Sequence, residues 1–108
     1  MGAPMKIVEI TPRKKSPLYS GLVKREAGIR KNGRGTFSRK GSVRAGTATW
    51  NHKRFKGSVS LKREGGELVT AKVRSRTSED EGGLLKAFLG FVDRHFGDKV
   101  ATITIHYH

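Results

Sequence analysis

The chain has 108 residues, no cysteine, 34% hydrophobic residues and a net charge of +14. This length suits one domain, the absence of cysteine excludes disulfides and thiolate metal sites, and no apolar run reaches the ~18 residues of a membrane span. We therefore expect one soluble, cytoplasmic domain over residues 5–108 that does not contact a membrane. Residues 1–4 precede a second methionine, Met5, and are interpreted as an addition before the native start.

The N-terminal part is predicted to contain two strands. Met5–Ile10 is rich in β-branched residues and ends before Pro12, which cannot donate an N–H to a sheet. Leu18–Arg25, which follows Pro17, is predicted to form the second strand, with a turn at 26–28. Both strands would belong to the same antiparallel sheet.

Residues 28–46 are rich in glycine and in basic side chains. The segment contains five glycines and few apolar residues that could anchor it to a core. Its Asn32-Gly33 pair is typical of a tight hairpin turn. We predict a basic hairpin or flexible loop here, which becomes ordered when it binds a polyanion.

Three further strands are predicted at 47–50, 55–63 and 67–75. In the last two, apolar and polar residues alternate with the period of a half-buried strand. The residues predicted to face solvent on these two strands are Arg54, Lys56, Ser58, Ser60, Lys62, Thr70, Lys72 and Arg74. Together they would form a continuous cationic surface on one side of the sheet.

The clearest element is a helix from Glu79 to Phe96. Ser78 and Glu81 have the spacing of a capping box, and acidic residues favour the positive end of the helix dipole. The apolar residues that repeat along one helical stripe are Leu85, Phe88, Leu89, Val92 and Phe96. A final strand is predicted at Lys99–Tyr107, where apolar and polar residues again alternate.

These elements predict the α+β class. We expect an antiparallel sheet of five or six strands, one helix from the C-terminal half packed on one face, and a final strand after that helix. An exposed edge strand, or the Leu84 and Phe91 flank of the helix, could support a homodimer.

The histidines offer few candidates for metal binding or catalysis. His106 and His108 would share one face of a strand but lack a third ligand, so we predict no metal site and no cofactor. His95 is interpreted as a packed residue that the helix dipole keeps protonated. His52 lies beside several basic residues and is the candidate acid or base if the protein is a metal-independent ribonuclease.

The charge distribution favours a nucleic-acid partner. Sixteen of the 23 Lys and Arg residues lie between Thr11 and Arg63, where Glu26 is the single acid. A field of this sign attracts polyanions and releases their condensed counterions. Phe37 lies between Arg34 and Arg39, so it could stack on a base or anchor its segment to the core, whereas Trp50 is expected to be buried.

We therefore predict a non-catalytic protein that binds RNA or single-stranded DNA through a basic sheet face and the basic loop. One alternative is a small ribonuclease, and another is an interaction protein that docks on an acidic protein partner. The candidate nucleic-acid-binding residues are Arg13, Lys14, Lys15, Arg30, Lys31, Arg34, Phe37, Arg39, Lys40, Arg44, Lys53, Arg54, Lys56, Lys62, Lys72 and Arg74.

Overall fold

The computed structural model describes residues 5–41 and 46–107, which form one antiparallel sheet and two α-helices. The elements in chain order are β1 (Met5–Pro12), α1 (Leu18–Lys31), β2 (Phe37–Arg39), β3 (Thr47–His52), β4 (Ser58–Arg63), β5 (Val69–Arg74), α2 (Ser78–Phe96) and β6 (Val100–Tyr107). Short 3-10 turns lie at Arg13–Lys15 and Gly65–Glu67. The six strands lie in the order β2-β3-β4-β5-β1-β6.

Alternation of side chains along the strands gives the sheet one apolar face. Antiparallel partners such as Val59 and Val73 lie opposite each other and point to the same side. The buried strand residues on this side are Val8, Ile10, Phe37, Ala48, Trp50, Val59, Leu61, Val69, Ala71 and Val73. Both helices pack on this face, and their apolar residues complete a single core. The structure thus has the predicted α+β class, with a helix in the C-terminal half followed by a final strand.

Helix α2 follows the predicted pattern, with its cap one residue earlier. The Thr77 hydroxyl oxygen accepts a hydrogen bond from the Asp80 N–H at 3.1 Å, so Thr77 is the N-cap. Three acidic residues occupy the first turn. The helix residues buried against the sheet are Glu81, Leu84, Leu85, Phe88, Val92 and Phe96. Because Leu84 is fully buried, it belongs to the core and is not part of an exposed flank.

Helix α1 replaces the strand predicted at 18–25 and the turn predicted at 26–28, so both predictions were wrong. Leu18, Leu22 and Glu26 are buried at four-residue intervals, which is the spacing of one helical face. Gly21 permits a close approach between the helices, because a Cβ at this position would lie 2.9 Å from Phe96 Cε1. Packing of this face outweighs the low helix propensity of two internal glycines.

The segment predicted as a hairpin or loop over 28–46 is divided between several elements. Residues 28–31 form the last turn of α1, and Gly33, with φ +72°, ends the helix. The Gly33 N–H donates to the Arg30 carbonyl and the Arg34 N–H donates to the Ile29 carbonyl, which is a Schellman cap. The Asn32-Gly33 pair therefore ends a helix. β2 then forms the sheet edge and pairs with β3, and residues 42–45 lie outside the described ranges.

Neither helix of the described residues is long and apolar enough to cross a membrane.

Candidate nucleic-acid interface

The face of the sheet opposite the helices carries hydroxyl groups and cations, and we call it the open face. Lys62 pairs with Thr70 across β4 and β5, Ser60 with Lys72, and Ser58 with Arg74. Because paired residues point to the same side, all six project from the open face. Thr47 and Thr49 of β3 pair with Lys62 and Ser60 and project from it as well. The open-face residues that are paired between β3, β4 and β5 are Thr47, Thr49, Ser58, Ser60, Lys62, Thr70, Lys72 and Arg74.

All of these side chains except Ser58 line a shallow cavity of about 450 Å³. Ile7 of β1 forms one side of it, and the Thr49 and Ser60 hydroxyls, 3.4 Å apart, form part of its base. Lys62, Lys72 and Arg74 also line the cavity, as does Glu64, so three cations and one carboxylate converge on a concave surface of mixed polarity.

The cations of the open face are weakly neutralised. Among the described residues, Lys72 and Arg74 form no ion pair within 4.0 Å. Lys62 Nζ lies 3.9 Å from Glu64 Oε1, and since both side chains are solvent-exposed this pair contributes little energy. The positive potential of the face is therefore concentrated on β4 and β5.

A second group of cations extends the open face at one end of β5. Lys56, Arg74 and Arg76 line an adjoining cavity of about 310 Å³. The Ser75 hydroxyl donates to the Lys56 carbonyl at 2.7 Å, which fixes the Lys56 backbone beside β5. Arg76 was missed by the sequence analysis because it lies beyond the last predicted strand residue, although its two-residue spacing from Arg74 continues the alternation.

Two residues predicted to project from β4 lie elsewhere. The strand begins at Ser58, so Arg54 and Lys56 belong to the loop between β3 and β4. Gly57 in this loop has φ +125°, and a Cβ there would lie 2.1 Å from the Arg74 carbonyl oxygen. This left-handed backbone breaks the alternation that the sequence pattern extended back to residue 54.

Most of the other predicted cations lie away from the open face. Arg30, Lys31 and Arg34 are at the end of α1 in the helix layer. Arg39 is the last residue of β2, and Lys40 follows it. The loop residues Lys53 and Arg54 follow β3. Arg13 and Lys14 lie in the 3-10 turn beside β6, where Arg13 Nε donates to the Val100 carbonyl. Arg44 and the Lys15 side chain lie outside the described part of the structure. The cations thus form several patches.

The aromatic residues are on the helix side of the sheet. Phe37 is only 6% exposed and its ring centroid lies 5.7 Å from that of Trp50, which is fully buried. Phe37 is therefore a core residue in this structure, and the base-stacking role considered for it is corrected. On the described strands, no Phe, Tyr or Trp projects from the open face.

His52 stabilises the loop after β3. Its Nδ1 accepts hydrogen bonds from the Arg54 N–H at 3.0 Å and the Phe55 N–H at 3.4 Å. Burial and the nearby Arg54 guanidinium lower the pKa of His52 below its usual range. With Nδ1 engaged by backbone donors, this nitrogen is not available to take a proton from a substrate.

His95 does not have the protonated state expected at a helix C-terminus. Burial, together with Arg25 and Arg94, lowers the pKa of His95. Arg25 Nε donates to His95 Nδ1 at 3.2 Å, which requires that nitrogen to be unprotonated. Burial and the neighbouring guanidinium groups together therefore outweigh the helix dipole.

The described residues contain no group of three or more His, Asp or Glu side chains that could hold a metal ion. Comparisons with protein-family models, curated proteins and solved structures find no match to this chain. Only the geometry and charge of the described residues therefore bear on the function of the protein.

Proposed function

We propose that the protein binds RNA or single-stranded DNA, without catalysis, through the open face. The supporting observation is the convergence of Lys62, Lys72 and Arg74 on a concave sheet surface lined with hydroxyl groups. Lysine and arginine neutralise phosphates, and Ser and Thr hydroxyls donate hydrogen bonds to phosphate oxygens. The surface thus has the two kinds of group that hold a nucleic-acid backbone.

The spacing of the cations suits an extended strand. Residues i and i+2 of a strand are about 7 Å apart, so Lys72 and Arg74 are separated by roughly that distance on β5, and Arg76 follows just beyond the end of the strand. A single strand laid along β5 would place successive phosphates near successive cations. Because the groups are suited to phosphates and few can read base edges, the binding should depend weakly on sequence.

The two alternatives have less support from the geometry. His52 Nδ1 is engaged by two backbone N–H groups, so only one of its two ring nitrogens is left for ribonuclease catalysis. Protein interfaces depend on buried aromatic or aliphatic anchors, whereas no Phe, Tyr or Trp of the described strands projects from the open face.

The test is fluorescence anisotropy with a labelled oligouridylate and a matched pair of triple variants. Lys62→Gln, Lys72→Gln and Arg74→Gln together should weaken binding by roughly tenfold or more, because three phosphate contacts are lost. The control replaces Lys24, Lys86 and Lys99, exposed cations on or next to the helices, by Gln and removes the same net charge. It should retain most of the affinity.

Three results would contradict the proposal. Equal losses in the two triple variants would mean that net charge acts without a defined surface. Competition by polyglutamate as effective as by RNA of matched charge would favour an acidic protein partner. Cleavage of the oligouridylate that is abolished by His52→Ala would favour the ribonuclease.

A further inference from the structure

A separate cavity of about 350 Å³ lies between the two helices and the segment that leads into β2. It is on the helix side of the sheet, so it is distinct from the open face. The lining residues that matter for its chemistry are Glu26 and Ile29 of α1, Arg34 of the connecting segment, and Phe91, Arg94 and His95 of α2.

Glu26 is a buried carboxylate with incomplete hydrogen bonding. It is 2% exposed, and within the described residues its Oε2 has no hydrogen-bond partner. Arg30 Nε lies 3.5 Å from Oε2, which supplies charge compensation. Burial raises the pKa of Glu26, while Arg30 and Arg39 oppose the shift. Buried carboxylate oxygens are nearly always hydrogen-bonded, so an oxygen of this kind in a cavity wall is suited to accept N–H groups of a ligand.

Cations surround this carboxylate at the cavity mouth. Arg34 and Arg94 line the cavity and are exposed, and Arg25 contacts His95. Because His95 Nδ1 accepts the hydrogen bond from Arg25, the other ring nitrogen, Nε2, carries the proton and can donate. The rim therefore offers guanidinium and imidazole donors, which are the groups that bind a phosphate.

The remaining walls are apolar and closely spaced. Phe37 and Phe91 pack edge to face with ring centroids 6.1 Å apart, and Ile29 also lines the cavity. Gly35 has φ +90°, and a Cβ there would lie 2.5 Å from Ile29 Cγ2, so glycine allows this segment to approach α1. A cavity with such walls fits a flat heterocycle.

We propose that this cavity binds a guanine nucleotide, with the base against Glu26 and the phosphate between Arg34 and Arg94. Arg30, 3.5 Å from Oε2, and Arg39 favour the ionised form of Glu26, and an ionised carboxylate only accepts hydrogen bonds, so it selects a base with two adjacent donors. Guanine presents N1–H and N2–H side by side, whereas adenine, cytosine and uracil present at most one donor beside an acceptor on that edge. The proposal does not depend on nucleic-acid binding by the open face.

The test is an NMR titration of the ¹⁵N-labelled protein with GMP, AMP, CMP, UMP and ribose 5-phosphate. GMP should shift amides of residues 26–37 and 91–95 and bind at least about tenfold more tightly than the other compounds. Glu26→Gln should abolish the preference for GMP, while Glu64→Gln on the other side of the sheet should preserve it. Arg94→Gln, an exposed position, should weaken GMP but leave guanosine unchanged.

Two further arms identify the source of the nucleotide. A free nucleotide is indicated if GMP fully displaces from the cavity an oligouridylate that contains one central guanine, as followed by the amide shifts of residues 26–37 and 91–95. A nucleotide within a strand is indicated if the oligonucleotide binds the cavity more tightly than GMP does. Equal binding of ribose 5-phosphate and GMP, or absence of shifts at 26–37 with every compound, would overturn the proposal. Loss of oligouridylate binding in the open-face triple variant, with GMP binding intact, separates the two proposals.

Discussion

Gly82 and Gly83 are neighbours in α2 that should respond to alanine in opposite directions. A Cβ at Gly82 would meet nothing within 4 Å among the described residues, so Gly82→Ala brings only the higher helix propensity of alanine. That gain is about 1 kcal/mol. At Gly83 the same Cβ would lie 2.4 Å from two carbons of the Phe55 ring, and the ring must move.

The cost at Gly83 follows from what the Phe55 ring does. Phe55 is half-buried and packs against the core, so it holds the loop between β3 and β4 on α2. Removing a fully buried phenyl ring from a core costs about 3–5 kcal/mol, so displacing a half-buried one costs about 1.5–2 kcal/mol, which exceeds the propensity gain. We expect Gly83→Ala to lower the free energy of unfolding by about 0.5–1 kcal/mol, roughly 2 kcal/mol below Gly82→Ala.

Urea unfolding followed by circular dichroism measures this difference directly. In a Phe55→Ala background the ring is absent, so Gly83→Ala should then stabilise the protein by about 1 kcal/mol. The double-mutant cycle of Phe55→Ala and Gly83→Ala should give a coupling energy of about 2 kcal/mol. If Gly83→Ala stabilises the wild-type background as much as Gly82→Ala does, the placement of the loop on α2 is wrong.

Three other changes test the core and the loop. Trp50 is the single tryptophan and is fully buried on the helix side, so its emission should be blue-shifted and should not change when an oligonucleotide binds the open face. Because the pKa of His52 is lowered on folding, its contribution to stability should be present above pH 6.5 and be lost as pH falls through the folded pKa. An NMR titration should find that pKa below 6.5. His52→Gln should make the loss of stability at low pH smaller. Lys6 forms an ion pair with the buried Glu81, so Lys6→Ala should cost about 3 kcal/mol, and Lys6→Met with Glu81→Leu should recover most of it in urea unfolding.

The sequence pattern located the elements whose buried residues are apolar and periodic. In β5, Val69, Ala71 and Val73 are buried between exposed polar residues, so alternation alone identified both faces. The stripe of α2 was equally clear. The stripe of α1 was hidden because Glu26 occupies its third position, and a buried carboxylate is not expected on an apolar face.

The candidate sites differ in how far they can be predicted. Lys62, Lys72 and Arg74 were assigned to one solvent face because each lies on a strand of regular alternation. The helix-side cavity combines residues near 26–37 with residues near 91–95, and no local pattern indicates that these segments meet. Arg54 and Lys56 were misplaced because the loop conformation depends on contacts of Gly57 with β5 that the sequence does not reveal.

The salt dependence of oligouridylate binding tests the role of the open face most directly. Five cations lie on or beside this face, namely Lys56, Lys62, Lys72, Arg74 and Arg76. If each neutralises one phosphate, the logarithm of the association constant should fall with the logarithm of salt concentration with a slope of about −3.5. The open-face triple variant should flatten this slope by about two units, and the helix triple variant should leave it nearly unchanged. An unchanged slope in the open-face variant, or equal flattening in both, would contradict the account.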